Sequence, residues 1–594
     1  VLYLLGYMGQ ILFVNLSEMS TESIPIDQAI AKQFIGGSGY ASKLLHDMMN
    51  PNVGPLDPDN LLFFMTGPLT GTLAPCSGRH VVCGRSPLTG FWGESHTGGH
   101  FGARLKYAGF DGILIKGKSE QPVALHINNG ESEIISANHL WGKMTGETQD
   151  QLKKDLGKVE TACIGPAGEH LVKFAAIING ERSAARCGLG AVMGSKKLKA
   201  IAVQGSKKVS LAESDPFMEL AKESSKILGE ALDMLRDQGT VMYVDIGLMF
   251  NDMPIKYFQE IEFEGDSINA IAMEEILTGK TACHSCPIAC GRKVSMPEFG
   301  LVNIAGPEYQ TVAAFGSNLL ISDLKMIAKI NHMCNQYGMD TVSCGSTIAF
   351  ATHLCDLGIA DWGLKWGDSE KTLEIVEAIA TRTGLGDLLA EGSLRVGQKY
   401  NAEEKVIHVK GLEVPNHDPR AFGGMATVYA VAARGASHLE GDMYSVDMGA
   451  DVRELGIVSG DRLENEGKGI TAAKSQSFRA FFDSIIMCQF AIVPPETIVE
   501  LLNLATGLTL TSEDILPIGS RAITMKRFYN LKCGLKPTDD NLPPSLLIPH
   551  PDSITEDFVP DVKQQLTDYY QYRKWDIKTG TPTSEALEEL GLEL

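Results

Sequence analysis

The sequence predicts an α+β fold, with a β-rich N-terminal region followed by two mainly helical ones. Three observations predict it. The chain has 594 residues, too many for one core and enough for roughly three or four domains. Short apolar runs punctuated by glycine fill residues 1–208 and read as strands. From residue 209 onward apolar residues recur at helical spacing. The composition, 44% hydrophobic and 21% charged, is that of a globular protein with ample apolar surface to bury.

In the first region, residues 1–208, strands are expected at 11–14, 61–65, 81–83, 112–115, 123–127 and 200–203. A helix-like stretch at 27–34 leads into Gly36-Gly37-Ser38-Gly39. The tetrapeptide PLTG occurs at 68–71 and again at 87–90, which reads as two tight turns. In the second region, 209–413, a helix is expected over 213–238, with Ser214 or Asp215 as N-cap and Gly239 as the stop. Further helices are expected at 324–337, 347–357, 369–383 and 386–400, then a short strand at 406–412. The third region, 414–594, carries helices at 475–486 and 496–506. Its tail, from about Leu535, is rich in Pro and Asp and is expected to wrap the surface.

The formal charge of −21 argues against a nucleic acid or an anionic membrane as the main partner. No apolar run reaches about 18–20 residues, so no transmembrane helix is expected. The opening residues, Val1 to Gly6, are apolar but carry no basic group and lead straight into a strand, unlike a signal peptide. Twelve cysteines are far too few for a disulfide scaffold, and three are clustered at metal spacing. A reducing compartment, the cytoplasm, is the expectation.

The metal-spaced set is Cys283-His-Ser-Cys286-Pro-Ile-Ala-Cys290, with Cys488 as a distant fourth candidate. Three close thiolates and a remote one suit a [4Fe–4S] cluster, whose irons take one thiolate each. A structural zinc, with Cys488 or His284 as fourth ligand, is the competing reading. The other eight cysteines, Cys76, Cys83, Cys163, Cys187, Cys334, Cys344, Cys355 and Cys533, read as mostly buried small hydrophobes. Gly37-Ser-Gly39 imitates a dinucleotide fingerprint but follows a helix instead of a strand. The glycines from Gly188 to Gly194 lack P-loop spacing. Both runs read as packing glycines, or as backbone nests that approach an anionic cofactor. Glu308 and His438 stand in apolar or small-residue settings, where an acid or imidazole is either hydrogen-bonded structure or a general acid–base group with a shifted pKa.

Several segments together resemble a known family. They are Thr66-Gly-Pro-Leu-Thr-Gly71, Ser77-Gly-Arg79, Ser86-Pro-Leu-Thr-Gly90, Gly98-Gly99-His-Phe-Gly102, Leu105-Lys-Tyr-Ala-Gly-Phe-Asp-Gly112, Cys163-Ile-Gly-Pro-Ala-Gly168, Gly190-Ala-Val-Met-Gly-Ser-Lys196, the cysteine motif itself and Val409-Lys-Gly-Leu-Glu413. In this order, from about Tyr7 to Cys488, they resemble the tungsten-containing aldehyde:ferredoxin oxidoreductases. The resemblance implies a β-rich base carrying a tungsten bis-pyranopterin, covered by two mainly helical domains, with a [4Fe–4S] cluster nearby. It implies Cys283, Cys286, Cys290 and Cys488 as cluster ligands and Arg79 as a bridge between cluster and pterin. The glycine nests, including Gly98, Gly99, Gly188 and Gly190 beside Arg186, would receive pterin phosphates. A Mg²⁺ would lie between those phosphates, near the backbone carbonyls of His96 and Ala184.

The family's two DxxGL(D/C) pterin motifs read here as Asn335-Gln-Tyr-Gly-Met339-Asp340 and Asp483-Ser-Ile-Ile-Met487-Cys488. Asn335 replaces an Asp and changes polarity. Ile486 replaces a Gly, which calls the local turn into question. Some members hold an interface iron on ExxH pairs; Lys329-Ile-Asn-His332 breaks that pattern, so no bridging iron is expected. By resemblance, Glu308 is the base that activates water or a tungsten-bound oxygen, and His438 polarises a carbonyl or carries a proton. The implied reaction oxidises an aldehyde to a carboxylic acid, or the reverse, with ferredoxin or a ferredoxin-like subunit as electron acceptor. A homodimer and a hetero-oligomer both fit the resemblance. Two alternatives stand beside it: a tungsten-dependent benzoyl-CoA-reductase-type catalytic subunit, and a non-catalytic iron–sulfur or zinc-stabilised binding protein.

Overall fold

The computed structural model describes residues 4–551 and 554–593. Residues 1–3, the start of the stretch weighed against a signal peptide, lie outside these. The N-terminal region forms two six-stranded sheets. The first holds β1 (Gln10–Asn15), β2 (Ser20–Pro25), β3 (Leu62–Met65), β4 (His80–Arg85), β5 (Trp92–Thr97) and β6 (Gly112–Lys116), in the order β2-β1-β6-β3-β4-β5. Only β1 and β6 run parallel. Successive side chains alternate between faces, and here both faces are buried. Leu62, Phe64 and Val82 enter the main core, while Phe63, Met65 and Val81 enter a second one. That explains why these strands read as unbroken apolar runs. The Gly37–Met48 helix covers the second face through Tyr40, Ala41 and Leu45.

The second sheet holds β7 (Val123–Asn128), β8 (Glu131–Ser136), β9 (Glu160–Cys163), β10 (Ile177–Asn179), β11 (Arg182–Ala184) and β12 (Leu198–Gln204), in the order β11-β10-β9-β12-β7-β8. Each expected strand is found within a few residues of its place. β2 gave no apolar signal because nearly all of it is exposed. Both PLTG segments are tight turns, with Gly71 and Gly90 each at φ +79°, a conformation that suits glycine.

A third, three-stranded sheet holds the feature that matters most for function. β13 (Leu277–Thr281), β14 (Gly291–Met296) and β15 (Leu301–Ala305) form a small antiparallel sheet inside a region expected to be helical. Charged residues at Lys280, Arg292 and Lys293 masked its alternation. The cysteine motif is the β13–β14 connection.

The helices differ from expectation where the backbone leaves helical geometry. The 213–238 helix is two, Ser214–Ala231 and Asp233–Gln238, broken at Leu232 (φ −116°, ψ 34°). Ser214 and Asp215 are its first helical residues, and Glu213 is the cap position. The 386–400 helix is also two, Leu385–Leu389 and Ser393–Lys399, separated by Gly392 at φ +89°. The expected strand at 406–412 is a hairpin, His408–Val409 against Leu412–Glu413, turning on left-handed Lys410 and Gly411. Leu324–Tyr337 is a helix as expected; Asp323 accepts hydrogen bonds from the Lys325 and Met326 amides, and Gly338 ends it.

The C-terminal tail does not merely wrap the surface. It forms helices Val562–Tyr572 and Ser584–Leu590 and inserts Tyr569, Tyr570 and Trp575 into a cluster with Val431 and Ala473. Asp540, fully buried, sits 2.8 Å from Lys410 and 2.6 Å from Arg527. Aromatic side chains, which bury large areas, outweigh the Pro and Asp content on which the surface expectation rested. One apolar core joins Leu12 of the first sheet to Ile348, Met425, Phe481 and Val562. Among the described residues no helix is long and apolar enough to cross a membrane.

Candidate functional site

The cysteine loop folds onto the first sheet. Ser285 and Ala289 take left-handed φ values of +50° and +52°, which coil the loop tightly. It lands where the base offers no side chains. A β-carbon on Gly78 would meet the His284 carbonyl oxygen at 2.6 Å, and one on Gly98 would meet Cys283 Sγ at 2.6 Å. The loop is then tied down. The His284 amide donates to the Gly99 carbonyl at 3.0 Å, and Ser285 Oγ donates to the Thr72 carbonyl at 2.9 Å.

Cys488 arrives from the far end of the chain. The Lys468–Ile485 helix ends at Ile486, whose φ of +61° is left-handed. The turn that glycine serves in this motif is therefore kept with isoleucine, at a cost of roughly 1–2 kcal/mol. Ile486 is buried against the Gly36–Gly39 run: a β-carbon on Gly37 would lie 2.3 Å from the Asp483 carbonyl oxygen and 2.6 Å from Ile486 Cδ1. Those glycines pack against a helix end and do not form a phosphate nest. The Met487 amide donates to the Phe482 carbonyl at 3.1 Å, and the Cys488 amide donates to the Cys76 carbonyl at 3.0 Å. Cys290 lies within electrostatic range of Cys283 and Cys488, and Cys76 within range of Cys283, Cys286 and Cys488. The four spaced cysteines thus share one place. Arg79 points Nη1 at Cys488 Sγ, 3.5 Å away.

Beside them lies a buried ionic cluster that no local sequence pattern marks as a whole. On β5, Glu94 and His96 share a face. Glu94 accepts from Trp92 Nε1 at 2.7 Å, pairs with Lys526 at 2.6 Å and lies 2.7 Å from His96 Nε2. His96 Nε2 also lies 3.3 Å from Asp483 Oδ1. Burial pushes the Glu94 carboxyl up, but Lys526, then His96 and Arg434, outweigh it and hold it well below the usual carboxylate range. Arg434 Nε sits 2.7 Å from Glu440. Glu440, Asp483, Lys526 and Asn530 line one cavity. The i, i+2 pairing of Glu94 and His96 was a readable signal; nothing in the sequence marked Lys526.

The other motif brings Asp340 to the start of the Thr341–Asp356 helix, where it accepts from the Val342 and Ser343 amides at 3.1 and 3.2 Å. Arg186 Nε lies 3.3 Å from Asp340, and Arg186 Nη2 donates to the Glu413 carbonyl at 2.7 Å. Asn335 lies in the last turn of the preceding helix, its carbonyl accepting from Thr145 Oγ1 at 2.8 Å. Met339 is buried and bridges to Ala175. Ala184 ends β11, paired with Ile177. Gly188 and Gly190 are places of backbone contact: added β-carbons would lie 1.9 Å from the Lys173 carbonyl oxygen and 2.5 Å from that of Ala176. Gly99, at φ +94°, packs on Asn179.

Glu308 precedes the Tyr309–Phe315 helix. Its carboxylate accepts from Thr240 Oγ1 at 2.5 Å and pairs with Arg182 Nη1 at 3.0 Å. With 40% of its side chain exposed, it does not stand in an apolar setting; β11 brings a cation to it, which the sequence around Glu308 did not reveal. His438 opens a short turn and keeps a little surface, but its Nδ1 is enclosed and unpaired. Burial, then His417, Arg186 and Arg434, push its imidazole well below its ordinary pKa. Between the two stand aromatic rings. Tyr309 and His417 have centroids 5.3 Å apart, His417 and His438 5.2 Å, and His417 stacks on Tyr444 at 4.3 Å. Asp252 fixes His417 through Nδ1 at 2.6 Å.

Residues 11–205 match the family description "Aldehyde ferredoxin oxidoreductase, N-terminal domain", and residues 219–592 match "Aldehyde ferredoxin oxidoreductase, domains 2 & 3". The chain belongs to the aldehyde ferredoxin oxidoreductase family. Its relatives in that family include the tungsten-containing aldehyde ferredoxin oxidoreductase of Pyrococcus furiosus, 40% identical over 99% of both chains. The enzyme of the same description from Thermococcus kodakarensis is 38% identical, again over 99% of each. Among solved structures, the active-site complex BamBC of benzoyl coenzyme A reductase, bound to 1,5-dienoyl-CoA, superposes with a TM-score of 0.85. It is 26% identical and covers 99% of this chain and 98% of that one.

Proposed function

We propose that this family member oxidises aldehydes to carboxylic acids, or runs the reverse, and passes the electrons singly through an iron–sulfur cluster to ferredoxin or a ferredoxin-like subunit. The overall change is RCHO + H₂O → RCOO⁻ + 3H⁺ + 2e⁻. The observation that carries this reading is the convergence of Cys283, Cys286, Cys290 and Cys488 beside Arg79 and the Asp483–Cys488 turn. Those residues fit the cofactors the family implies. Among the described residues, no three of the cysteine sulfurs lie within 4.8 Å of one another, whereas a single tetrahedral zinc needs sulfurs about 3.8 Å apart. The sulfurs are spread wider than a single zinc holds them. Arg186 Nη1, Arg434 Nη2 and Arg182 Nη2 are enclosed and unpaired, a costly state unless an acceptor fills it. A phosphate-bearing pterin supplies such acceptors.

On this reading Cys283, Cys286, Cys290 and Cys488 hold the [4Fe–4S] cluster. Arg79, Arg186, Asp340 and Asp483 hold the tungsten bis-pyranopterin, with Mg²⁺ near His96 and Ala184. When bound, the tungsten centre is the acceptor of both substrate electrons. The chain's own residues handle position and protons. Glu308, oriented by Arg182 and Thr240, accepts a proton from the attacking water. His438, kept neutral, donates an N–H hydrogen bond to the aldehyde oxygen. The rings of Tyr309, His417 and Tyr444 pack in series between them. The cysteine loop borders an open surface groove lined by Leu73 and Met218, so the electrons have a short way out to a partner. The cysteines are kept reduced in the cytoplasm, where we place the activity.

The likeness to BamBC favours a second reading, reduction of an aromatic CoA thioester. It ranks lower because the aldehyde-oxidising relatives are nearer in sequence. Anaerobically prepared holoenzyme assayed with a viologen acceptor separates the two. Reduction of viologen by at least one of a panel of aliphatic and aromatic aldehydes supports the first reading. Failure with every aldehyde, joined to turnover of a dienoyl-CoA, replaces it with the second.

A further inference from the structure

Cys76 reads in the sequence as an isolated buried thiol. The structure gives it different company. Its sulfur lies 3.9 Å from Cys286 Sγ, and the residue is 2% exposed. Its backbone, held in the left-handed region at φ +59°, joins the two halves of the ligand set. The Cys76 amide donates to the Ser285 carbonyl at 2.9 Å, and the Cys76 carbonyl accepts from the Cys488 amide at 3.0 Å. Three residues on, the same loop presents Arg79 to Cys488 Sγ. Two donors on one loop therefore face two different sulfurs.

We propose that Cys76 is a fifth, non-ligating cysteine of the cluster site, whose S–H donates a hydrogen bond to Cys286 Sγ and raises the reduction potential of the cluster. This rests on the assignment of Cys286 as a cluster ligand. The direction of the bond follows from chemistry. A cysteine bound to iron is a thiolate without a proton, so the only S–H in the pair belongs to Cys76. A hydrogen bond to a cluster sulfur favours the more negative, reduced state, and such bonds are among the determinants of cluster potential. Cys76 is thus a positioning and tuning residue: its backbone aligns Ser285 with Cys488, and its thiol sets the poise of the electron outlet.

The test is an EPR-monitored redox titration of the holoenzyme, with iron per chain measured on the same samples. Cys76→Ala keeps both backbone hydrogen bonds and is expected to hold the full iron complement, with the midpoint potential shifted to more negative values. Cys76→Ser keeps a shorter donor and is expected to fall between Cys76→Ala and the unaltered enzyme. An unchanged midpoint in Cys76→Ala would overturn the proposal. So would loss of cluster iron in both variants, which would make Cys76 a ligand. Absence of any [4Fe–4S] signal in the unaltered enzyme would instead sink the cluster assignment itself, and this inference with it.

Discussion

Gly98 and Cys283 touch so closely that a single methyl group cannot fit between them. A β-carbon at Gly98 would lie 2.6 Å from Cys283 Sγ. The glycine's φ is not in the left-handed region, so the demand at this site is one of space and not of backbone strain. Gly98→Ala is expected to push the first cysteine of the motif aside and to lower iron per chain, with little effect on expression. Gly460, which has nothing within 4 Å of an added β-carbon, is the control: Gly460→Ala should keep its iron. Equal iron in both variants would show that the loop does not hold metal here.

Glu308 is gripped by Arg182 and Thr240, and its proposed task is to take a proton. Glu308→Gln preserves shape and one of the two accepted hydrogen bonds but removes the base. Turnover is expected to fall by about a hundredfold or more, with tungsten and iron contents unchanged. Steady-state rates with the best aldehyde, set beside metal analysis, check this.

Lys526 and Glu94 are a buried pair, 3% and 0% exposed. Removing one partner of such a pair leaves an uncompensated charge and costs about 3–5 kcal/mol. Lys526→Met is therefore expected to lower the melting temperature sharply. Adding Glu94→Gln should recover much of the loss, because the stranded carboxylate is then gone. A double variant no more stable than Lys526→Met would refute the pairing argument.

His80 is packed between Phe64 and Phe101, with ring centroids 6.2 and 4.7 Å away, and neither ring nitrogen has a partner. Burial, then His96 and Arg79, push its imidazole down to about 3. The unfolded chain takes up the proton near pH 6.5, well before the folded one does. Its contribution to stability is therefore full above about pH 6.5 and is lost as pH falls toward 3, by up to ~1.4 kcal/mol per pH unit. His80→Phe fills the same space and has nothing to protonate. Its melting temperature should fall less steeply than that of the unaltered enzyme between pH 7 and pH 4.

Much of this was legible in the residues, for physical reasons. β3 and β4 announce themselves because both their faces are buried. The spacing of Cys283, Cys286 and Cys290 suits a metal. Elements with mixed composition were harder to see. β13 and β14 are short and interrupted by Lys280, Arg292 and Lys293, and the Ser214–Ala231 helix breaks at an ordinary leucine. The Glu94–Lys526 pair joins residues more than four hundred apart, and long-range charge pairing leaves no local pattern. Ile486 shows the opposite limit. The sequence argues against a left-handed turn there, and tertiary packing against Gly37 imposes one.

The central claim is that substrate oxidation and the cysteine cluster form one electron path. The most direct measurement adds an aldehyde to oxidised holoenzyme, without any external acceptor, and follows the cluster by low-temperature EPR. A reduced [4Fe–4S] signal should appear on mixing and should appear far more slowly in Glu308→Gln. If dithionite reduces the cluster but no aldehyde does, the account of this site as an aldehyde oxidoreductase is wrong.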